Sequence, residues 1–378
     1  MYEYQETQTY LAQVAEDVKE IAIGELAALG AGELSPTYRG IRFQASPALL
    51  YAINLRARLV SRILAPLATF NCRSSRYLYK KSREIPWEDF IDSDQTLSVN
   101  ASVSHSAIKH SRYAALKLKD AVVDRFREQT GRRPSVARHN ADLGLHLHLL
   151  HNRATVSLDT SGGSLHRRGY RVSGGPAPLS ETLGAAILTL SEWDGSVPLY
   201  DPFCGSGTLL CEGYLLASRT PPGMLRPRFG FERLPDFEPE TWQRVRAQAA
   251  AGIAPPAPGL IAGSDISCEA VAGARRNAGK LAPGAIQIER EDVFRLESLE
   301  GRTIVCNPPY GIRLETGRDL SDFYRRLGDF LKQRCRGAQA YVYFGERKYL
   351  KKIGLRASWK KALSNGGLDG RLAKFELY

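Results

Sequence analysis

Two short segments hold most of the chemical information in this sequence. The first is Asp201-Pro202-Phe203-Cys204-Gly205-Ser206-Gly207-Thr208, set between an apolar strand-like stretch and an apolar helix-like stretch. Glycines in such a loop let the backbone approach a ligand that a Cβ would hold off. The amides of the following helix N-terminus favour polar or anionic groups. The loop is not a dinucleotide fingerprint, because Leu210 stands at the third glycine position, and no Gly-Lys-Ser/Thr follows to make a P-loop. A plain turn would explain Gly-Ser-Gly alone, but the full octapeptide is far more restrictive. The second segment is Asn307-Pro308-Pro309-Tyr310, after the strand-like Thr303–Cys306. Two prolines remove two N–H donors and leave a rigid rim of carbonyl acceptors beside the Asn307 amide oxygen. An exocyclic amino group on a nucleobase is a poor nucleophile, because its lone pair is conjugated into the ring. Accepting both of its hydrogens, at Asn307 Oδ1 and the Pro308 carbonyl, would localise that lone pair and aim it at a methyl donor. Orientation and preorganised dipoles suffice for this, without a strong base. Tyr310 could stack on the extruded base.

Two aspartates bear on the same site. Asp265 follows the strand-like Leu260–Ser264, where a carboxylate can accept from ribose hydroxyls or cap the next helix. Asp292 follows the strand-like Ile286–Glu289 and is either an acceptor for an adenine amino group or a turn aspartate. Ligands of parallel sheets bind at the carboxyl ends of the strands, which is where all four features are expected.

The elements that must position these residues alternate. Val197–Phe203, Leu260–Ser264, Ile286–Glu289, Thr303–Cys306 and Ala338–Phe344 read as strands. Thr208–Ala217, Ser267–Leu281 and Leu320–Arg336 read as helices between them. That order predicts a doubly wound parallel sheet. The proline-rich stretch Pro221–Pro258 interrupts it as an insertion with a short helix around Trp242. Ahead of it lies an α+β module. TYLAQVA and Tyr38–Phe43 read as strands, Glu16–Leu29 as a helix, and Pro47 through Ile63 as a second helix ended by Pro66. Leu97–Val103 is strand-like. Leu143–Leu150 and Ala154–Leu158 form a hairpin around His151-Asn152. Ser161-Gly162-Gly163-Ser164 and Gly174-Gly175-Pro176 read as a linker. Segments 1–45, 46–160 and 161–378 are therefore expected as domains, with the insertion at about 220–258.

Composition narrows the partner. Of 378 residues, 52 are Lys or Arg and 40 are Asp or Glu, a formal charge of +12. This favours a polyanion, and nucleic acid is the commonest one. The long helix Tyr113–Arg127, with Lys117, Lys119 and Arg125, is the expected phosphate-contacting face, although a solvated face would look the same. None of the six cysteines forms a C-x-x-C pair. His146, His148 and His151 lack a thiolate or carboxylate at ligand spacing, so no metal is expected. No stretch reads as a signal peptide or membrane span, and a cytoplasmic protein is expected.

These residues resemble the class I S-adenosylmethionine (SAM)-dependent amino-methyltransferases, through Asp201–Thr208, Asp265, Asp292 and Asn307–Tyr310. Arg168-Gly169-Tyr170-Arg171 followed by Ala177-Pro178-Leu179 resembles the segment preceding this domain in THUMP-containing RNA methylases. Glu25-Leu26, Leu29-Gly30, Leu59–Leu64 and Ala115–Asp124 extend the likeness to the RlmL-like family of 23S rRNA guanine-N2 methyltransferases. The resemblance covers nearly the whole chain. It implies a ferredoxin-like piece, a THUMP RNA-binding domain and a Rossmann-like catalytic domain. The catalytic sheet would be mostly parallel and seven-stranded with an antiparallel terminal strand, and the Asn365-Gly366-Gly367 turn before Leu372–Leu377 fits its last hairpin. It also implies that Asp201, Pro202, Cys204, Gly205, Gly207, Thr208, Asp265, Ile266, Asp292 and Val293 hold SAM, and that Asn307, Pro308 and Tyr310 hold the target base. Ile312 departs from the acidic residue that relatives often carry there. Some relatives also carry a second, fused methyltransferase, whose activity this chain is expected to lack.

The expected reaction is N2-methylation of a guanine in 23S rRNA. A THUMP-bearing tRNA guanine-N2 methyltransferase is the near alternative. DNA adenine and protein glutamine methyltransferases share Asn-Pro-Pro-Tyr but not the long N-terminal module. A non-catalytic RNA-binding assembly factor is the alternative from another class.

Overall fold

The computed structural model describes residues 1–138, 140–174, 178–310 and 320–378. Gly175 and Pro176 of the expected linker, Ala177, and Ile312 lie outside the described residues. The chain divides into two compact units. One comprises Met1–Leu165 with Arg226–Ala247, the other His166–Leu225 with Gln248–Tyr378.

The first unit is built on one eight-stranded sheet. Its strands are β1 (Thr9–Gln13), β2 (Gly32–Thr37), β3 (Gly40–Gln44), β4 (Arg62–Asn71), β5 (Thr96–Ser104), β6 (Ser135–Val136), β7 (Leu143–Leu150) and β8 (Arg153–Asp159). They lie in the order β2-β3-β1-β4-β8-β7-β5-β6. β4 pairs with β1 through Arg62–Leu64 and with β8 through Leu64–Asn71, so it joins the two halves of the sheet. β7 shows the alternation of a sheet covered on one face: Leu143, Leu145, Leu147 and Leu149 are buried, and Gly144, His146, His148 and Leu150 are half-buried. His151 and Asn152 both take positive φ, 49° and 60°, as a two-residue hairpin turn requires.

Three expectations fail in this unit. The helix opened by Pro47 stops at Arg56; Leu59 lies beyond it, and Ile63 and Pro66 belong to β4. Pro66 sits where the β4–β8 register shifts, and a residue without an N–H is tolerated at such an irregularity. The segment Tyr38–Phe43 is not one strand, because Tyr38 and Arg39 form the turn between β2 and β3. Ser161–Ser164 is not a free linker. Ser161 is buried, accepts from Ile63 N and donates to Asn54 Oδ1. The interrupting stretch supplies part of this unit's core: Phe231 stacks on Tyr51 with ring centroids 4.5 Å apart, and Trp242 packs edge-on against Phe231 at 5.1 Å. Its helix is Pro239–Ala251.

The histidines of β7 are bonded within the sheet. His146 Nε2 lies 3.3 Å from Gln13 Nε2, and His148 Nδ1 lies 2.8 Å from Ser102 Oγ. Among the described residues no group of three His, Cys, Asp or Glu side chains is arranged to hold a metal ion. Burial, then the neighbouring His148 and Arg62, pushes His146 down from 6.5 to about 4. Between those values the unfolded chain takes up a proton that the native state refuses, so stability falls as pH drops through that window. Over that window the wild type is expected to lose about 3 kcal/mol more than His146→Gln, read from urea unfolding. Equal losses would place the ring in water.

The second unit holds β9 (Leu199–Asp201), β10 (Ile261–Asp265), β11 (Gln287–Arg290), β12 (Thr303–Cys306), β13 (Gln339–Phe344), β14 (Trp359–Ala362) and β15 (Arg371–Glu376). Their order is β11-β10-β9-β12-β13-β15-β14. The first five are parallel, and β15 runs antiparallel to both β13 and β14. Strands covered on both faces need continuous apolar runs. Accordingly all of β12, and all of β13 after Gln339, is buried. The helix Ser321–Arg334 packs Tyr324, Leu327 and Leu331 into a core shared with Ile304, Val342 and Phe375. Among the described residues no helix is long and apolar enough to cross a membrane.

Candidate active site

The glycine loop leaves β9 and runs into the helix Thr208–Ala217. Its shape is fixed from below. Asp201 is 1% exposed, and its Oδ1 accepts from Phe203 N at 3.0 Å. Burial drives its carboxyl well above the ordinary aspartate range. Cys204 is also buried, and its N donates to Ser264 O on β10 at 2.9 Å. Gly205 and Gly207 take φ of +53° and +80°. A Cβ on Gly207 would come within 3.1 Å of Ala274, whereas one on Gly205 would meet nothing closer than 4.0 Å. Gly207 is thus favoured by its backbone angle and by tight packing on Ala274. Gly205 is required by its backbone angle and opens onto unfilled space.

Asp265 ends β10 and anchors the loop. Its Oδ2 accepts from Gly205 N and its Oδ1 from Ser267 N, both at 2.9 Å. The helix cap itself is Ser267, which accepts from Ala270 N. Asp292 realises the turn alternative with one oxygen, accepting from Phe294 N at 3.0 Å. Its Oδ2 has no hydrogen-bond partner among the described residues. Ile266 is 65% exposed at the end of β10, an unpartnered apolar side chain beside the loop. Val293, by contrast, is buried in the core cluster, so its side chain cannot line an open site.

β12 lies beside β9 in parallel register, Thr303 opposite Leu199 and Ile304 opposite Tyr200. The Asp201 loop and Asn307 therefore leave neighbouring strands at the same edge, about 4.8 Å apart in strand spacing. Strand order reverses between these two strands, the point at which open α/β sheets bind ligands. Asn307 Oδ1 is buried and accepts no hydrogen bond from the described residues. Buried polar atoms are nearly always paired, so an orphaned acceptor at a sheet edge marks a missing donor. The Pro309 carbonyl accepts from Tyr324 OH at 3.2 Å, whereas no described residue donates to the Pro308 carbonyl. Tyr310 is buried, its ring lying so close against Gly345 that a Cβ there would overlap it.

Little in the local pattern marks the residues that lock the loop from behind. Arg171 pairs with the buried Glu181 and donates to Ser206 Oγ, Thr208 Oγ1 and Leu179 O. Asn277 accepts from Val172 N and Ser173 N, and donates to Ser173 O and Ser206 O. Only the Arg168–Arg171 segment hinted at this role. In the first unit, Arg125 is taken by Glu88 (2.9 and 2.6 Å) and Arg83 O, and Lys119 by Asp120 at 2.5 Å. Lys117 lies 3.8 Å from Asp120. Arg73, Lys109 and Arg112 pair with no described carboxylate. They flank a surface tied together by Cys72 N to Asn152 O and Ala107 N to Asn152 Oδ1, next to exposed Tyr77 and Tyr113.

Residues 9–64 match the RlmL ferredoxin-like domain, 72–159 the THUMP domain, and 168–374 the RMKL-like methyltransferase domain. A protein of Synechocystis sp. provisionally named an RNA methyltransferase is 40% identical over 98% of this chain and 97% of its own length. The ribosomal RNA large subunit methyltransferase K/L of Syntrophotalea carbinolica is 40% identical over 97% of this chain, but the chain spans only 53% of that protein. Of solved structures, SMU.472, provisionally named a methyltransferase and complexed with SAH, superposes with a TM-score of 0.84 at 24% identity, over 98% of both chains. A Listeria monocytogenes protein named, on prediction, an N6-adenine-specific DNA methylase superposes with a TM-score of 0.83 at 27% identity, over 99% of this chain and 98% of that one. The chain thus belongs to the RMKL-like methyltransferase family, its methyltransferase domain preceded by ferredoxin-like and THUMP domains.

Proposed function

We propose that the protein methylates the N2 amino group of a guanine in 23S rRNA. The observation that carries this reading is the buried, unpaired Asn307 Oδ1 beside an open glycine loop at the switch point of the sheet. The residues fit the methyl donor. Gly205 leaves room for a ligand against the backbone, Asp292 Oδ2 is an available acceptor, and Ile266 offers an apolar cover. Asp201, Pro202, Cys204, Gly207 and Thr208 shape the loop, and Asp265 holds Gly205 in place. SAM, when bound, supplies an electrophilic methyl group.

The chain's own residues prepare the nucleophile. Asn307 Oδ1 and the Pro308 carbonyl accept the two hydrogens of the base's amino group, which turns its lone pair out of conjugation. They are held in place before the base arrives, so little reorganisation opposes the reaction. The methylated nitrogen is transiently cationic and acidic, and it releases its surplus proton to water. The ring of Tyr310 stacks on the extruded base.

The THUMP domain and the names of the relatives support RNA as the substrate. In the first unit, phosphate contacts fall to Lys117, joined by Arg73, Lys109 and Arg112; Lys119 and Arg125 contribute less, since Asp120 and Glu88 engage them. Transfer of tritiated methyl groups from SAM into naked 23S rRNA is the test, with N2-methylguanosine expected on digestion. Label in tRNA alone would move the substrate to tRNA. An N6-methyladenosine product would overturn the choice of base. RNA binding without transfer would support the assembly-factor alternative.

A further inference from the structure

The catalytic unit carries a charge run of its own. Residues 347–361 contain seven Lys or Arg and no Asp or Glu, in a chain whose whole net charge is +12. Arg347 pairs with Asp369 and Lys348 with Glu346. Lys351, Lys352, Arg356, Lys360 and Lys361 are all exposed and form no ion pair with a described carboxylate.

The fold fixes the segments that carry these cations. The backbone of Ile353 presses against the helix Ser321–Arg334 at Gly328, which fixes the stretch bearing Lys351, Lys352 and Arg356. Lys360 and Lys361 lie on the edge strand β14, paired with Ala373 and Leu372 of β15. Lys361 Nζ sits 5.4 Å from the centre of the half-buried Trp359 ring. The same edge reaches the candidate site: Asn365 Nδ2, in the turn between β14 and β15, lies 3.4 Å from Tyr310 OH. β14 is three strands from β12, so the patch begins about 14 Å from Asn307 in strand spacing.

Resting on the RNA reading above, we propose that this β14 edge, Lys351, Lys352, Arg356, Lys360 and Lys361, binds the phosphate backbone of the substrate RNA flanking the extruded base. Lysines on an edge strand also deter edge-to-edge pairing. That role accounts for Lys360 and Lys361, but not for three further cations off the strand, where no edge needs protection. Uncompensated cations at one edge of the sheet, beside the candidate site, are complementary to a polyphosphate chain.

The test is binding of the full chain to a 23S rRNA transcript across a salt series, for wild type and for the variant with all five residues changed to Gln. The five-fold variant is expected to lower the salt slope by about 3 and to weaken binding roughly 30-fold or more, with SAH affinity by calorimetry unchanged. Should it fold poorly, Lys351→Gln/Lys352→Gln/Arg356→Gln leaves β14 intact and should lower the slope by about 2. An unchanged slope and affinity would overturn the surface while leaving the RNA reading standing. So would unchanged RNA binding with new self-association, which makes the lysines edge guards, or with lost polyglutamate binding, which makes the partner an acidic protein. A wild type that shows no salt-dependent RNA affinity would remove the RNA reading and this proposal together.

Discussion

Asn307→Ala is expected to reduce methyl transfer at least about 10³-fold while leaving SAM affinity within a few-fold. In the proposed mechanism the side chain touches the base, and the donor is held elsewhere, on the Gly205 loop and the ends of β10 and β11. Stability should move the other way. Oδ1 is a buried acceptor without a donor among the described residues, and such an atom costs roughly 1–3 kcal/mol. The alanine variant should therefore unfold at an equal or higher urea concentration than the wild type. Asn307→Asp keeps an acceptor in the same place and should retain more activity than Ala, although burying its charge limits the gain. Loss of SAM binding in the alanine variant, measured by calorimetry, would move Asn307 to the donor side. A large loss of stability would mean that Oδ1 is paired in the native protein.

Gly328→Ala is expected to destabilise the catalytic domain by about 3 kcal/mol or more. The sign is opposite to what the helix alone dictates. Inside Ser321–Arg334, alanine should gain up to about 1 kcal/mol over glycine. But the added methyl would overlap the Ile353 carbonyl, a backbone atom that cannot swing aside. Only separation of the helix from the 351–355 stretch relieves the clash, and that opens the core where Leu327 and Ile353 meet. Circular dichroism through a urea titration reads the effect. A stabilised variant would show that the helix and this stretch are not in contact.

The catalytic half was legible where local chemistry and fold agree. Thr303–Cys306 and Thr208–Ala217 appear with the bounds that their apolar runs and flanking turns dictate. The expected strand Val197–Phe203 shortens to Leu199–Asp201: Pro202 and Phe203 turn into the glycine loop, and Val197 and Pro198 precede the strand, although the Pro198 carbonyl still accepts from Thr303 N on β12. The first half was harder. Leu59 and Ile63 keep helical spacing with Leu49 and Ile53, so periodicity extends the helix past Arg56. Pairing of β4 with two partners, which no local pattern displays, makes the strand. Nothing near Asn277 in the sequence reveals that its amide bonds Val172, Ser173 and Ser206, because those contacts span some 70 to 105 residues. The fifteen-residue run of cations at 347–361 was visible in the sequence but obscured by the stronger expectation of an RNA surface on the helix of Lys117 and Lys119.

The stacking of Tyr51 on Phe231, with Trp242 at its side, sets an order on biosynthesis. During translation the amino-terminal domain leaves the ribosome long before Phe231 and Trp242 are made. Until they emerge, an aromatic hollow around Tyr51 stays open to water, and hydrophobic surface exposed in that interval invites capture by chaperones or misassembly. Completion of the first unit thus waits on the ribosome's progress into the catalytic half.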